Sequence, residues 1–311
     1  MKVVFQKFKK EVFIMITLLT LIAGAELVSS IVNAQTLDTL VNMDIHNFFY
    51  KAICLVVIFA FYLLFTYMLI RYQAYFNQKV ATWLRDRISH SIEATSYGRF
   101  YEKNSQTYIS WFTSDLEQIK GNAMNPTFEV IGGIISAVIS AVALFMYHWS
   151  IVLLAAICIV IMAVLPALFS AELTEKTIKV SEANEKFAKS ISDLLSGYDT
   201  LFVFRKLAYL KEKIHEKSVE VGDTHRDFSK SMAKVAVSGG IGNVFSQISV
   251  FILTGYLAYI GEVSLGSILA AMSLSSTIFN VLGNISQKIG SIKSADSLFN
   301  KYEQLEPAAL V

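Results

Sequence analysis

Ser273, Thr277, Asn280, Asn284 and Gln287 follow one another at intervals of four, three, four and three residues inside an otherwise apolar stretch. At the helical repeat this spacing places all five on one face. Hydroxyls and amides in such a row give and accept hydrogen bonds without carrying charge. Two uses fit that chemistry: lining the wall of a central cavity that a solute passes through, or bonding one helix to its neighbours. Asn243, Gln247 and Thr254 form a similar face in the preceding apolar stretch. Glu26 lies in the middle of the first apolar stretch, where an ionisable side chain marks a candidate site. Its carboxylate suits a cationic group on a solute or a partner Lys; a protonated carboxyl bonded to an adjacent helix is the competing role.

Other residues that invite a chemical reading have simpler ones. Ser238-Gly239-Gly240-Ile241-Gly242 is glycine-rich, but no Lys follows it and no Gly-Lys pair occurs anywhere in the chain. A phosphate loop needs that Lys, so these 311 residues are not expected to bind ATP specifically, and the glycines are read as a packing or bending site. Gly132, Ser136 and Ser140 make a small-residue face for helix packing. Pro166 is expected to bend its helix, and Glu129 to favour a helix N-terminus. Cys54 and Cys158 each stand alone in apolar sequence and read as small hydrophobes. Tyr147, His148 and Trp149 suit a membrane interface. His148 and His46 make at most one pair, so no metal is expected.

The elements that must position these side chains are set by composition. Hydrophobic residues make up 54% of the chain and charged residues 17%, with a mean hydropathy of +0.50. About 20 apolar residues are needed to cross a hydrocarbon core of ~30 Å. Six runs qualify: 13–34, 48–70, 128–147, 150–169, 235–260 and 265–289. They are expected to be helices, because an unpaired backbone amide in lipid is too costly, and only three prolines occur. Of the 27 Lys and Arg, all except Lys51 lie at the N-terminus, in the segments 71–127 and 170–234, or after residue 287. The opposite side carries Asp38, Asp44 and Glu262. This asymmetry assigns both termini and both long segments to the cytoplasm of a multi-pass cell-membrane protein. The basic surface is read as topology and attraction to anionic lipid rather than nucleic-acid binding. The lysines ahead of the first run and Val32-Asn33-Ala34 imitate a signal peptide, but 13–34 exceeds a signal core in length and includes Glu26, so it is read as a retained helix.

The segments 71–127 and 170–234 lack linker composition and carry helical periodicity, as in Val180, Phe187, Ile191 and Leu194. A single helix from Phe48 to Ser96 would be ~73 Å long, so stalks of roughly 35–40 Å should project beyond the bilayer. Tyr97-Gly98-Arg99 and Ser196-Gly197-Tyr198 are the expected reversals.

At these reversals the chain resembles the type I ATP-binding cassette (ABC) exporters. Phe100-Tyr101-Glu102-Lys103, followed by the stretch Ile109 to Ile119, is similar to the family's aromatic pair and "ISRLTNDV" segment, with Ile109, Ser110, Thr113, Asp115 and Ile119 in register. Gln106-Thr107 stands where Thr-Gly is usual, and Trp111 where Arg is usual. Ser196 to Phe204 is similar to "xGxxxVKxF", with Arg205 and Lys206 where an acidic residue is common; Gly261 to Ile268 is similar to "GxLTxGxL". With the paired spacing of the runs, the likeness covers essentially the whole chain.

The resemblance implies an all-α membrane domain of a half-transporter, its six helices extended into the cytoplasm as long intracellular loops that end in two coupling helices. These would lie near 98–106 and 197–205, with Phe100, Tyr101, Gly197, Tyr198, Asp199 and Phe202 docking onto an ATP-binding cassette domain. That domain, with its ATP and Mg, would begin after about residue 306. A second copy or a homologous half would complete a cavity lined by Glu26, Asn243, Gln247, Thr254, Ser273, Thr277, Asn280 and Asn284. The implied activity is ATP-driven export of a drug, peptide or lipid. A separate permease with its ATPase on another chain, or a non-transporting sensor or immunity protein, are the alternatives.

Overall fold

The computed structural model describes residues Lys2–Glu303, and every regular element among them is helical. Glu306 and the tail Ala308–Val311 lie outside the described residues. Six long helices carry the fold: α1 (Lys9–Val41), α2 (Ile45–Glu93), α3 (Asn125–Tyr147), α4 (Trp149–Ser196), α5 (Leu207–Tyr259) and α6 (Ser267–Glu303). Short helices Tyr97–Tyr101, Ser105–Phe112 and Ser114–Ile119 join α2 to α3, and Tyr198–Val203 joins α4 to α5. The six apolar runs fall in these helices, although α5 stops one residue before the end of the run 235–260 and α6 starts two residues into the run 265–289. Among the described residues, six helical segments are long and apolar enough to cross a membrane.

The helices overshoot that requirement. The 49 residues of α2 span ~74 Å, against ~30 Å of hydrocarbon. No Gly or Pro interrupts it. Asp44 starts it as an N-cap, its Oδ1 accepting from the Asn47 amide at 3.1 Å. α3 starts differently. A π-helical turn, Lys120–Met124, precedes it, and Pro126 occupies its first turn.

The chain divides into two compact units. The first contains the residues up to Ala155 and from Gln247 onward. Its hydrophobic core lies beyond the apolar run of α2, where Phe76, Val80, Leu84 and Ile88 meet Phe8, Trp111, Leu116, Ile119 and Phe128. Phe76 and Phe128 pack edge to face with ring centres 5.4 Å apart. By contrast, the most apolar window of α2 has no buried residue. Along that window there is no water to expel, so apolar side chains have no drive to bury each other. Close approach there depends on small residues instead. Gly132 faces Leu19 of α1, and Gly133 faces Val281 of α6. At the acidic end, the Gly266 amide donates to Asp38 Oδ1 at 2.7 Å, tying the start of α6 to α1.

The second unit, Ala156–Ser246, is a hairpin of α4 and α5. Its pairings run antiparallel: Gly242 against Met162 and Leu165, Gly239 against Pro166, Ser231 and Lys234 on Glu172, and His225 near Asn184. The glycine-rich stretch therefore packs at Gly239 and Gly242, whereas Gly240 meets nothing within 4 Å. Hydrogen bonds from Lys234 and Ser231 hold the exposed Glu172 carboxyl below the ordinary carboxylate range.

A Cβ at Gly266 would sit 1.9 Å from the Ala34 carbonyl oxygen, a backbone atom that has no rotamer to escape into. Gly266→Ala should lower the stability of the solubilised chain by about 3 kcal/mol, the upper end of overpacking costs. Gly255→Ala, where nothing lies within 4 Å, should not. Thermal unfolding of the two variants checks this.

Candidate functional site

Three places hold the residues singled out in the sequence. The first is the polar row on α6. Ser273, Asn280, Asn284 and Gln287 are exposed and Thr277 is half-buried. Their hydrogen bonds stay almost wholly within the helix. Thr277 donates to the Ser273 carbonyl at 3.2 Å, Asn284 to the Asn280 carbonyl at 2.9 Å, and Asn280 to the Ser276 hydroxyl at 3.3 Å. The exception is Ser273, whose hydroxyl lies 3.0 Å from that of Ser30 on α1. Ser30 also donates to the Glu26 carbonyl at 3.0 Å. Glu26 is half-buried, and its carboxyl has the Tyr62 hydroxyl of α2 as a hydrogen-bonding neighbour. The Ser30 hydroxyl thus links α1 to the row on α6, through Ser273 and the backbone carbonyl of Glu26.

On α5 the residues are placed differently from one another. Thr254 is fully buried and donates to the Val250 carbonyl of its own helix at 2.8 Å. Asn243 and Gln247 are half-buried, Asn243 in the second unit and Gln247 in the first. Sequence reasoning did not single out Ser30 or Tyr62. Ser30 follows Glu26 by four residues, and that spacing was the available signal.

The others lie at the two chain reversals, one in each unit. At the first, Tyr97 and Tyr101 are exposed, Tyr101 at 67%, with ring centres 4.8 Å apart. Phe100 turns the other way and stacks on Tyr108 at 4.7 Å, while the Tyr108 hydroxyl donates to the Phe100 carbonyl at 3.1 Å. Trp111, which replaces an expected Arg, is buried beneath that stack. Phe100 therefore anchors the reversal internally, and Tyr101 is the residue it presents. At the second reversal Gly197 precedes the short helix, Asp199 is exposed, and Tyr198 (45% exposed) stacks on Phe202 (60% exposed) at 6.2 Å. Val203 and Phe204 extend the apolar surface. Arg205 ends it with a φ of 53°, a left-handed residue that lets the Lys206 amide donate back to the Leu201 carbonyl at 2.8 Å.

Residues 12–282 match the family model for the ABC transporter transmembrane region. The chain belongs to that family. No curated protein matches it. As the transmembrane part of an ABC transporter, it is a multi-pass membrane protein that works with an ATP-binding cassette domain and is solvated by lipid. The described residues of this ABC transmembrane region contain no cluster of three His, Cys, Asp or Glu side chains. His148 instead stacks on Trp149, with its Nδ1 2.6 Å from the Ser150 hydroxyl. Glu129, near the start of α3, is paired with Lys288 of α6.

The two aromatics of the first reversal should separate by mutation. Phe100→Ala removes half of a stack and should cost about 2 kcal/mol. Tyr101→Ala, on an exposed side chain, should stay within about 0.5 kcal/mol. Chemical denaturation of the two variants measures both.

Proposed function

We propose that this chain is the membrane half of an exporter that carries a hydrophobic or amphipathic solute, such as a drug, a peptide or a lipid, out of the cytoplasm. The observation that carries the reading is the row on α6. Ser273, Thr277, Asn280 and Asn284 lie within a mostly apolar span, yet among the described residues the row's one hydrogen bond to another helix is that of Ser273. Polar side chains exposed at that depth, even when bonded within their own helix, are expensive against lipid and useful against water or a solute. A second copy or a homologous half facing the row would enclose the pathway. Glu26 would then lie on its wall and favour solutes with a cationic group.

The excess of Lys and Arg on one side supports a cytoplasmic location for both termini and both reversals. The exposed pairs Tyr97–Tyr101 and Tyr198–Phe202 are the surfaces offered to the cassette domain. Large, rigid aromatics are the side chains that anchor such interfaces. ATP and Mg would be held by the cassette domain, whose closure would press on the two reversals and, through the continuous helices behind them, tilt α2, α4 and α5. Pro166 in α4 and Gly240 in α5 are the places where those helices can bend.

In the transporter assembled with its cassette domain, Tyr198→Ala should weaken docking by about 2 kcal/mol. ATP hydrolysis would then continue while transport falls, and unchanged transport per ATP would contradict the docking role. Glu26→Gln should reduce transport of cationic solutes and spare neutral ones. If both classes move as before, Glu26 does not belong to the pathway.

A further inference from the structure

The face of α6 that carries the polar row does not stop at Ser273. The same spacing of three and four residues continues toward the acidic end through Ala270 to Gly266. Along this face the surroundings change. Ser273, Asn280 and Asn284 are exposed, whereas Ala270 and Gly266 are buried. α1 lies over this end of the face with Ser30, Ala34 and Asp38, which are four residues apart and share one side of their helix. The Ser30 hydroxyl lies 3.0 Å from that of Ser273, the Ala34 carbonyl sits against Gly266, and Asp38 Oδ1 accepts from the Gly266 amide at 2.7 Å. A solute moving along the row toward the acidic end meets this seam.

The seam can part at small cost. It is made of Ser, Ala and Gly, so separation exposes little apolar surface, and hydrophobic stabilisation scales with that area. Its remaining ties are polar, and water can replace them. Asp38 supplies the tie with a carboxylate acceptor. Gly266 stands just before α6, where backbone amides have no partner within the helix. Ser264 takes the Ser267 amide through its carbonyl and hydroxyl, at 3.1 and 3.3 Å. The Gly266 amide is taken by Asp38 from the other helix. The start of α6 is thus capped partly by its own turn and partly by α1, and a carboxylate suits the positive end of the helix dipole.

We propose that Asp38 is a latch: its bond to the Gly266 amide holds α1 against α6 and closes the pathway at the acidic end, and outward opening breaks it. The role rests on the exporter reading, in which that end faces outside and the row lines the pathway.

The test is the rate at which a membrane-impermeant maleimide modifies Ser30→Cys in intact cells that express the transporter with its cassette domain. The free cysteines are first removed as Cys54→Ala and Cys158→Ala. Ser30 is buried in the seam, and its replacement thiol reacts only when water and reagent reach it. Asp38→Ala should raise the rate about tenfold, the loss of one hydrogen bond to a charged group. Asp38→Asn, which keeps an acceptor oxygen, should raise it less. Met43→Cys, 88% exposed at the same end, should label rapidly in every variant, and Ala155→Cys, buried on α4, should stay unreactive. An unlabelled Met43→Cys would remove the outward placement of this end, and the exporter reading and the latch would fall together. If Met43→Cys labels, then equal rates with and without Asp38→Ala, equal rises in Asp38→Asn and Asp38→Ala, or a reactive Ala155→Cys in Asp38→Ala would overturn the latch alone.

Discussion

A peptide group in hydrocarbon has no water to bond, and this constraint governs the rest of the molecule. Each residue within a span must close its own backbone hydrogen bond, so the chain passes through lipid only as helix. Once such a helix has been started by a cap such as Asp44, nothing in the sequence of α2 stops it at the bilayer edge. Ending a helix requires a signal, and α2 meets none before Ala94. The long rods are the consequence of helices whose stop signals lie far from the membrane.

Stability is then distributed unevenly. Hydrophobic burial works only where water can be displaced, and the aromatic core of Phe8, Phe76, Trp111 and Phe128 occupies the extension of α2 rather than its apolar run. Within the spans, contact is made by what is missing from the side chains, at Gly132, Gly133 and Gly266. It is supplemented by single polar bonds such as Ser30 to Ser273 and Asp38 to Gly266. Such bonds are few and individually weak. The span region of α2 is therefore held by less burial than the core at its end.

Much of this was legible in the residues. Six runs of sufficient length and a lopsided distribution of Lys and Arg specify the class of fold before any coordinates, because bilayer thickness and helix rise leave little freedom. The reversals were readable from Gly98 and Gly197, each next to a tyrosine. The inward turn of Phe100 was not readable, because a helix of five residues has too little periodicity to separate its faces. The row on α6 followed from spacing, and Thr254 shows the limit of that reasoning: the face it shares with Gln247 says nothing about what covers it, and Thr254 is fully covered. Asp38 figured in the sequence only as a loop charge, and Asn125 carried no assigned role. Their hydrogen bonds to Gly266, Gln73 and Asn77 join positions distant in the chain, which no local pattern encodes.

The π-helical turn at Lys120–Met124 has a further consequence. A turn of this kind holds one residue more than an α-helical turn, so it offsets the phase of the helix by about 100°. Leu116 and Ile119 before it and Phe128 after it all face the aromatic core, and further along Gly132 and Gly133 face α1 and α6. One continuous rod thereby serves two differently oriented environments. Removing a single amino acid here would leave both flanking segments intact in composition yet aim the distal one a quarter-turn away from its neighbours, an error of phasing that no hydropathy profile would register.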